Sequence, residues 1–333
     1  MNILFRVDCN KKNGSGHFSR CYTLSEELKK KNHKVFFLSI NFDKKYFYKK
    51  KILNLINIKK SKKIDESKDF KITSDIIKKK KIDTVILDNY LLKKNWCNYI
   101  RKKIKNFVII DDNFKKNYKC DLYIDYTIVN FTKKKLHKLL GLKYFFLNKE
   151  YIKLKNGNFL KSYDVFINFG TGNFTREVKN LLNILNKIHV IKKVVLAGKY
   201  EKDLKFFKKN VKFKIILINK FEHLGEYIKK SKICIGAGGV NVVERMIINN
   251  KNIVFSCAEH QTDLCRSLNK KNAVNFLGRI NILNNKKLRN RIQKVIVKII
   301  KTKNRKFSTI VDGKGTIRVA KRIQELSQIN EKI

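Results

Sequence analysis

Short apolar runs rich in Ile, Val and Phe recur along the chain and alternate with amphipathic, lysine-rich stretches. Runs that are apolar throughout belong to strands buried on both faces, the pattern of parallel sheets covered by helices. In the first half, "NILFRV", "KVFFLSI", "DTVILDNY", "NFVIIDDN" and "CDLYIDYT" predict strands, and residues 18–31 and 67–81 predict helices between them. A second series follows the polar patch "KLKNGNFLKS": "YDVFINFGTG", "KVVLAGKY", "FKIILIN", "KICIGAGG" and "NIVFSCAE", with helices over 175–187, 224–231 and 241–249. A basic helical stretch runs from about 285 to 303, and a last helix is read at "DGKGTIRVAKRIQEL". The expectation is an α/β protein of two Rossmann-like, doubly wound parallel-sheet domains facing a cleft. Their predicted spans are 1–155 and 156–310, with a C-terminal helix at 311–333.

Composition changes this picture little. The 333 residues suffice for two domains, and 43% are hydrophobic. The net charge of +51 invites a nucleic-acid reading. Yet 66 of the 78 basic residues are Lys, spread over the whole length, whereas base and phosphate recognition favours the planar Arg fork. With proline absent, the pattern reads as compositional drift, and a nucleic-acid partner is not expected. No run reaches the roughly 18 apolar residues of a membrane span, and the N-terminus lacks a signal-peptide pattern, so a cytoplasmic protein without a membrane partner is expected. Seven cysteines without a C-x-x-C pair read as reduced, mostly buried residues rather than a zinc site or disulfide framework.

Ligands of open parallel sheets collect at the carboxyl ends of strands. Four such ends carry suggestive residues. After the first strand come Asp8 and then "NGSGHFSRCYTL", with Gly14, Gly16, His17 and Arg20. Neither a dinucleotide fingerprint nor a Walker loop fits, because Ser19 stands where the third glycine belongs and no G-K-[ST] follows. The stretch reads as a phosphate cradle, a catalytic loop or a glycine turn. His17 at a helix start is suited to a general base, since the helix N-terminus favours the neutral imidazole.

The second end, "ICIGAGGVNVVERM", places Gly236, Gly238 and Gly239 where helix amides can receive a diphosphate, with Glu244 inside the helix able to accept from sugar hydroxyls. Close helix–strand packing would equally require those glycines. The third, "FINFGTGNFTRE", carries Gly170, Thr171, Gly172 and Asn173, and the fourth, "VFSCAEHQTDLC", carries Glu259, His260 and Gln261 before Asp263. Asp88 with Tyr90, and Asp111 with Asp112, complete the set. Adjacent acids alone do not make a metal site, and neither a metal nor a cofactor is expected.

Together these motifs resemble a known family. "ILFRVD", "GSGHFSR", "VILDNY", "VIIDDN", "FGTGN", "GAGGVNVVER", "AEHQ" and "VDGKGTIRVA" stand in the order and approximate spacing of the UDP-2,4-diacetamido-2,4,6-trideoxy-β-L-altropyranose hydrolases of pseudaminic acid biosynthesis. The resemblance runs from Asn2 to about Ala320. It implies a glycosyltransferase-B fold and hydrolysis of a UDP-sugar at its anomeric C–O bond, with His17 as the base. It further implies Gly238 and Gly239 at phosphate, Glu244 at the ribose, the "AEHQ" residues beside the diphosphate or sugar, and Tyr90 lining the sugar pocket. The sequence departs from the family at Asn148, where "LLRxEF" has Arg, at His260, where Asn is commoner, and at the Gly170–Asn173 turn. The alternatives are a UDP-sugar glycosyltransferase of the same fold and, in a different class, a basic nucleic-acid-binding protein.

Overall fold

The computed structural model describes residues 1–10, 14–47, 52–59, 65–112, 118–127, 137–170, 172–219, 223–249, 251–302 and 311–330. Contacts group the chain into two units, Met1–Leu147 with Val311–Ile333, and Asn148–Ile310.

The first unit is built on β1 (Asn2–Val7), β2 (Lys34–Ile40), β3 (Leu55–Ile58), β4 (Thr84–Asp88), β5 (Asn106–Ile110), β6 (Leu122–Asp125) and β7 (Lys138–Leu140). All neighbours are parallel, in the order β3-β2-β1-β4-β5-β6-β7. Every residue of β4 and β5 is buried, which is why apolar residues fill the middle of both strands. Helices α1 (Gly16–Lys29), α2 (Glu66–Lys79) and α3 (Lys94–Arg101) connect them. Asp65 caps α2 by accepting from the Lys68 amide, satisfying one of the free N–H groups of its first turn. Beneath the sheet Arg6 of β1 pairs with Asp8 and with Asp69 of α2, whose Oδ1 also accepts from Trp96 of α3. One buried guanidinium thus ties a strand to two helices.

The second unit starts at α4 (Lys149–Asn156), capped by Asn148. Its strands are β8 (Tyr163–Asn168), β9 (Lys193–Ala197), β10 (Lys214–Ile218), β11 (Ser231–Ala237), β12 (Asn252–Ser256) and β13 (Asn275–Arg279), again all parallel, in the order β10-β9-β8-β11-β12-β13. The helices are α5 (Thr175–Leu185), α6 (Leu204–Lys209), α7 (Leu224–Lys230), α8 (Val240–Ile248), α9 (Thr262–Lys270) and α10 (Arg289–Lys301).

Two expectations about the chain's division need adjustment. The boundary expected at 155 falls inside α4, which packs on α7 and α8, so the change of unit comes at Leu147/Asn148. The helix expected as a separate C-terminal segment, α11 (Gly315–Asn330), returns to the first unit and packs on α1. Its docking explains "DGKGTIR": a Cβ on Gly315 would stand 2.3 Å from the Phe145 carbonyl oxygen, and Arg318 holds both Asp312 and the Lys143 carbonyl. No helix among the described residues is long and apolar enough to cross a membrane.

Candidate functional site

In a doubly wound sheet the chain leaves its first strand toward one edge and later returns to pair on that strand's other side. The loops diverge there and open a crevice at the strand ends. In the first unit this switch point lies between β1 and β4, in the second between β8 and β11. Two clusters of the expected residues sit at these points.

In the first unit, His17 is the second residue of α1, and its Nδ1 lies 2.6 Å from Oδ1 of Asp88, the last residue of β4. Arg20, one turn along α1, grips the same carboxylate with Nε at 2.5 Å and Nη2 at 2.6 Å. Its Nη1 donates to Asp112 Oδ1 at 2.8 Å and to the Tyr126 hydroxyl at 2.9 Å. Tyr90 donates its hydroxyl to the other Asp112 oxygen, and its ring meets the His17 ring edge-on with centroids 4.6 Å apart. Tyr90 as a residue is 40% exposed although its hydroxyl is bonded to the buried Asp112.

The electrostatics of this cluster are self-consistent. Burial alone would raise the Asp88 pKa, but Arg20 and His17 overcome it and hold the carboxyl below its usual range. Asp112 is likewise buried and still held down, by Arg20 and the Tyr90 hydroxyl. Burial, reinforced by Asp112, pushes the Tyr90 phenol above its ordinary value, so it stays a protonated donor. Arg20 also stands 3.1 Å from His17 Nδ1, but a guanidinium only donates, and an ionised carboxylate only accepts. The carboxylate, at 2.6 Å, is the nearer partner, so Nδ1 carries a proton toward Asp88, and in the neutral ring Nε2 is then the acceptor. That is the tautomer a general base requires.

Not every expected residue joins this cluster. Both oxygens of Asp8 are engaged elsewhere: Oδ1 accepts from Arg6 and the Ile40 amide, and Oδ2 from Asn89. Expected at the substrate, Asp8 instead joins the ends of β1, β2 and β4. Arg20 was also expected at the substrate, but each guanidinium nitrogen is held within the protein and the residue is 3% exposed, so it organises the acids around His17. Asp111 and Asp112 are drawn apart, Asp111 accepting from Tyr123 and Asp112 joining Arg20. Gly14 adopts φ +66°, where glycine is favoured, and its amide bonds to the Asn10 carbonyl. At Gly16 a Cβ would meet nothing within 4 Å among the described residues. Asn13 and Thr171 lie outside those residues.

In the second unit, Asn168 ends β8 and was not singled out from the sequence. Its Oδ1 accepts from the Gly170 amide at 3.1 Å and from Asn241 Nδ2 at 3.4 Å, joining the glycine turns after β8 and β11. Gly170, at φ +81°, makes the first of these turns; Asn173 accepts from Thr175 at the start of α5. In the second turn, a Cβ on Gly238 would stand 2.0 Å from Cys265 Sγ, so close packing on α9 fixes that glycine. Gly239 precedes α8 and faces the Gln261 amide, whose Oε1 accepts from Cys257 N at 2.9 Å. Glu259 lines a concavity of about 370 Å³ with Asp263, Arg266 and Arg279. His260 belongs to the 3-10 turn Glu259–Gln261, its side chain outside the described set.

Glu244 of α8 is half-buried and accepts the Tyr151 hydroxyl from α4; burial lifts its carboxyl pKa to about 7. Tyr151 carries no local signal of this role, because only the packing of α4 on α8 brings the two together.

No protein-family model matches the chain, nor does any curated protein sequence. Among solved structures it is similar to MurG of Acinetobacter baumannii, with 12% identity over 98% of this chain and 100% of that one and a TM-score of 0.65. The UDP-GlcNAc 2-epimerase of Methanocaldococcus jannaschii gives 14% identity, the same coverages and a TM-score of 0.65. S. aureus MnaA, solved as a UDP co-structure, gives 11% identity over 98% of this chain and 97% of that one, with a TM-score of 0.66. At these identities the likeness is one of fold, and it agrees with the two parallel-sheet α/β units described above. The chain has the glycosyltransferase-B fold.

Proposed function

We propose that the protein hydrolyses a UDP-linked 2,4-diacetamido-2,4,6-trideoxyhexose to UDP and the free sugar, in nonulosonic acid biosynthesis. The observation that carries this reading is the His17–Asp88 pair at the β1/β4 switch point, which would leave Nε2 of the neutral ring to take a proton. In the reaction, a water oxygen bonds to the anomeric carbon as the C–O bond to the diphosphate breaks. The bonding pair leaves on the UDP oxygen and the water's proton passes to His17. Substrate would be held by Tyr90 beside His17, and by Gly170, Gly172, Asn173, Gly238, Gly239, Glu244 and the Glu259–Gln261 turn in the second unit. Amides at the start of α8 would meet the leaving charge, lowering the barrier where negative charge develops.

The test is to incubate the protein with UDP-diacetamido sugars and follow UDP and free sugar separately. His17→Ala should keep UDP affinity within about twofold and lose sugar release by roughly 10²–10⁴-fold. Equal activity of wild type and variant would remove His17 from the chemistry. UDP release that needs an added sugar acceptor would make the enzyme a transferase instead.

A further inference from the structure

Three arginines among the described residues are almost completely buried: Arg6 at 2%, Arg20 at 3% and Arg245 at 1% exposure. Arg6 pairs with two carboxylates, Asp8 and Asp69, and Arg20 with two others, Asp88 and Asp112. Arg245 forms no ion pair among the described residues, and its Nε and Nη1 have no hydrogen-bond partner there. A buried charge left unpaired costs several kcal/mol, so a fold does not hold one without compensation. Consistent with that, burial lowers this guanidinium's pKa from its ordinary value.

The direction in which Arg245 points is informative. Helical side chains lean toward the N-terminus of their helix, and Arg245 follows this rule back along α8 to the glycine turn. Its Nη2 donates to the Ala237 carbonyl at 2.7 Å, and Nη1 lies 3.0 Å from where a Cβ on Gly236 would stand. Glu244 next to it turns instead to Tyr151, and a carboxyl with a pKa of about 7 carries only part of a charge near neutrality. The guanidinium therefore lies against the Gly236–Ala237 end of β11, where the turn into α8 begins, with almost no solvent to screen it.

We propose that Arg245 is the buried counter-charge of an anion site at the turn from Gly236 to Asn241, a positioning residue that favours a phosphate or diphosphate there. It never touches the ligand. It holds the Ala237 carbonyl aside and supplies a positive potential through a medium of low dielectric. The inference rests on the reading of the second unit as the one that binds diphosphate.

The experiment titrates pyrophosphate, UDP, UMP and uridine into wild type, Arg245→Met and Arg245→Lys, and records the melting temperature of each protein without ligand. In Arg245→Met, affinity should fall about tenfold for pyrophosphate and UDP, less for UMP and not at all for uridine. Its unliganded melting temperature should not drop, because an unpaired buried charge has been removed. Arg245→Lys should keep pyrophosphate affinity within about threefold; if the Met variant does not fold, Arg245→Gln, a neutral residue that can still donate to the Ala237 carbonyl, takes its place and should show the same loss. Equal weakening of all four ligands, uridine included, or no weakening of pyrophosphate, overturns the proposal. Wild type that binds pyrophosphate but gains nothing from the uridine moiety defeats the nucleotide reading and leaves Arg245 to be judged on pyrophosphate alone. Wild type that binds neither overturns both.

Discussion

His17 Nδ1 and Asp88 Oδ1 stand 2.6 Å apart across the β1/β4 switch point, and the carboxylate is held at the same time by Nε and Nη2 of Arg20. The imidazole is thereby fixed in tautomer and orientation by an acid that cannot rotate away. Asp88→Asn preserves shape but can present an N–H to Nδ1 and so favour the wrong tautomer. The expected outcome is a fall in kcat of about 10²–10⁴-fold with KM changed less than threefold, measured by UDP release. A KM effect alone would assign Asp88 to substrate binding.

Two glycines that look alike in the sequence should respond oppositely to alanine. At Gly238 the new Cβ would meet Cys265 Sγ at 2.0 Å and Val254 Cγ1 at 3.2 Å, an overpacking expected to cost about 1–3 kcal/mol. Cys265→Ala in the same chain should recover much of that loss, as urea unfolding of the single and double variants would show. At Gly16 the Cβ meets nothing among the described residues, and alanine should leave stability unchanged or raise it by up to about 1 kcal/mol. Lost activity in a Gly16→Ala protein of full stability would identify the space beside His17 as space for substrate.

The raised Glu244 carboxyl has a definite sign in stability. Its folded pKa of about 7 exceeds the ordinary 4.5, so the native state binds the proton more tightly. The stabilisation is complete below pH 4.5 and is lost as the pH rises through 7. Glu244→Gln keeps an acceptor for Tyr151 without the titration. The wild-type melting temperature should fall relative to the variant's between pH 4.5 and 8, by on the order of 5 °C. Parallel curves would mean that Glu244 is solvated like an ordinary surface acid.

What the sequence revealed, and what it withheld, follows from the range of the interactions. Strands such as Asn2–Val7 and Thr84–Asp88 were legible because burial on both faces makes them mostly apolar, the buried polar exceptions, such as Arg6, Thr84 and Asp88, being few. The short edge strands Leu55–Ile58 and Lys138–Leu140, and the glycine-bearing Asn275–Arg279, were not, since half-buried edges need no such run. His17, Arg20, Asp88 and Tyr90 stood out by type and by place at strand ends. Tyr126 did not, because it meets Arg20 across 106 positions of sequence. Asn168 was hidden within "FINFG", where a polar residue reads as the end of a strand rather than as the link between two turns.

The return of α11 to the first unit gives the protein a timetable. Helix α1, which carries His17 and Arg20, leaves the ribosome early, yet α11 that packs on it follows only after the whole of Asn148–Ile310 has been made. At about 5–20 residues per second that interval is roughly ten to thirty seconds. For this time the second unit is itself still being made, while the earlier-made strands and helices of the first unit wait for their partner helix. The half that carries the proposed base is therefore the first to be begun and the last to be completed.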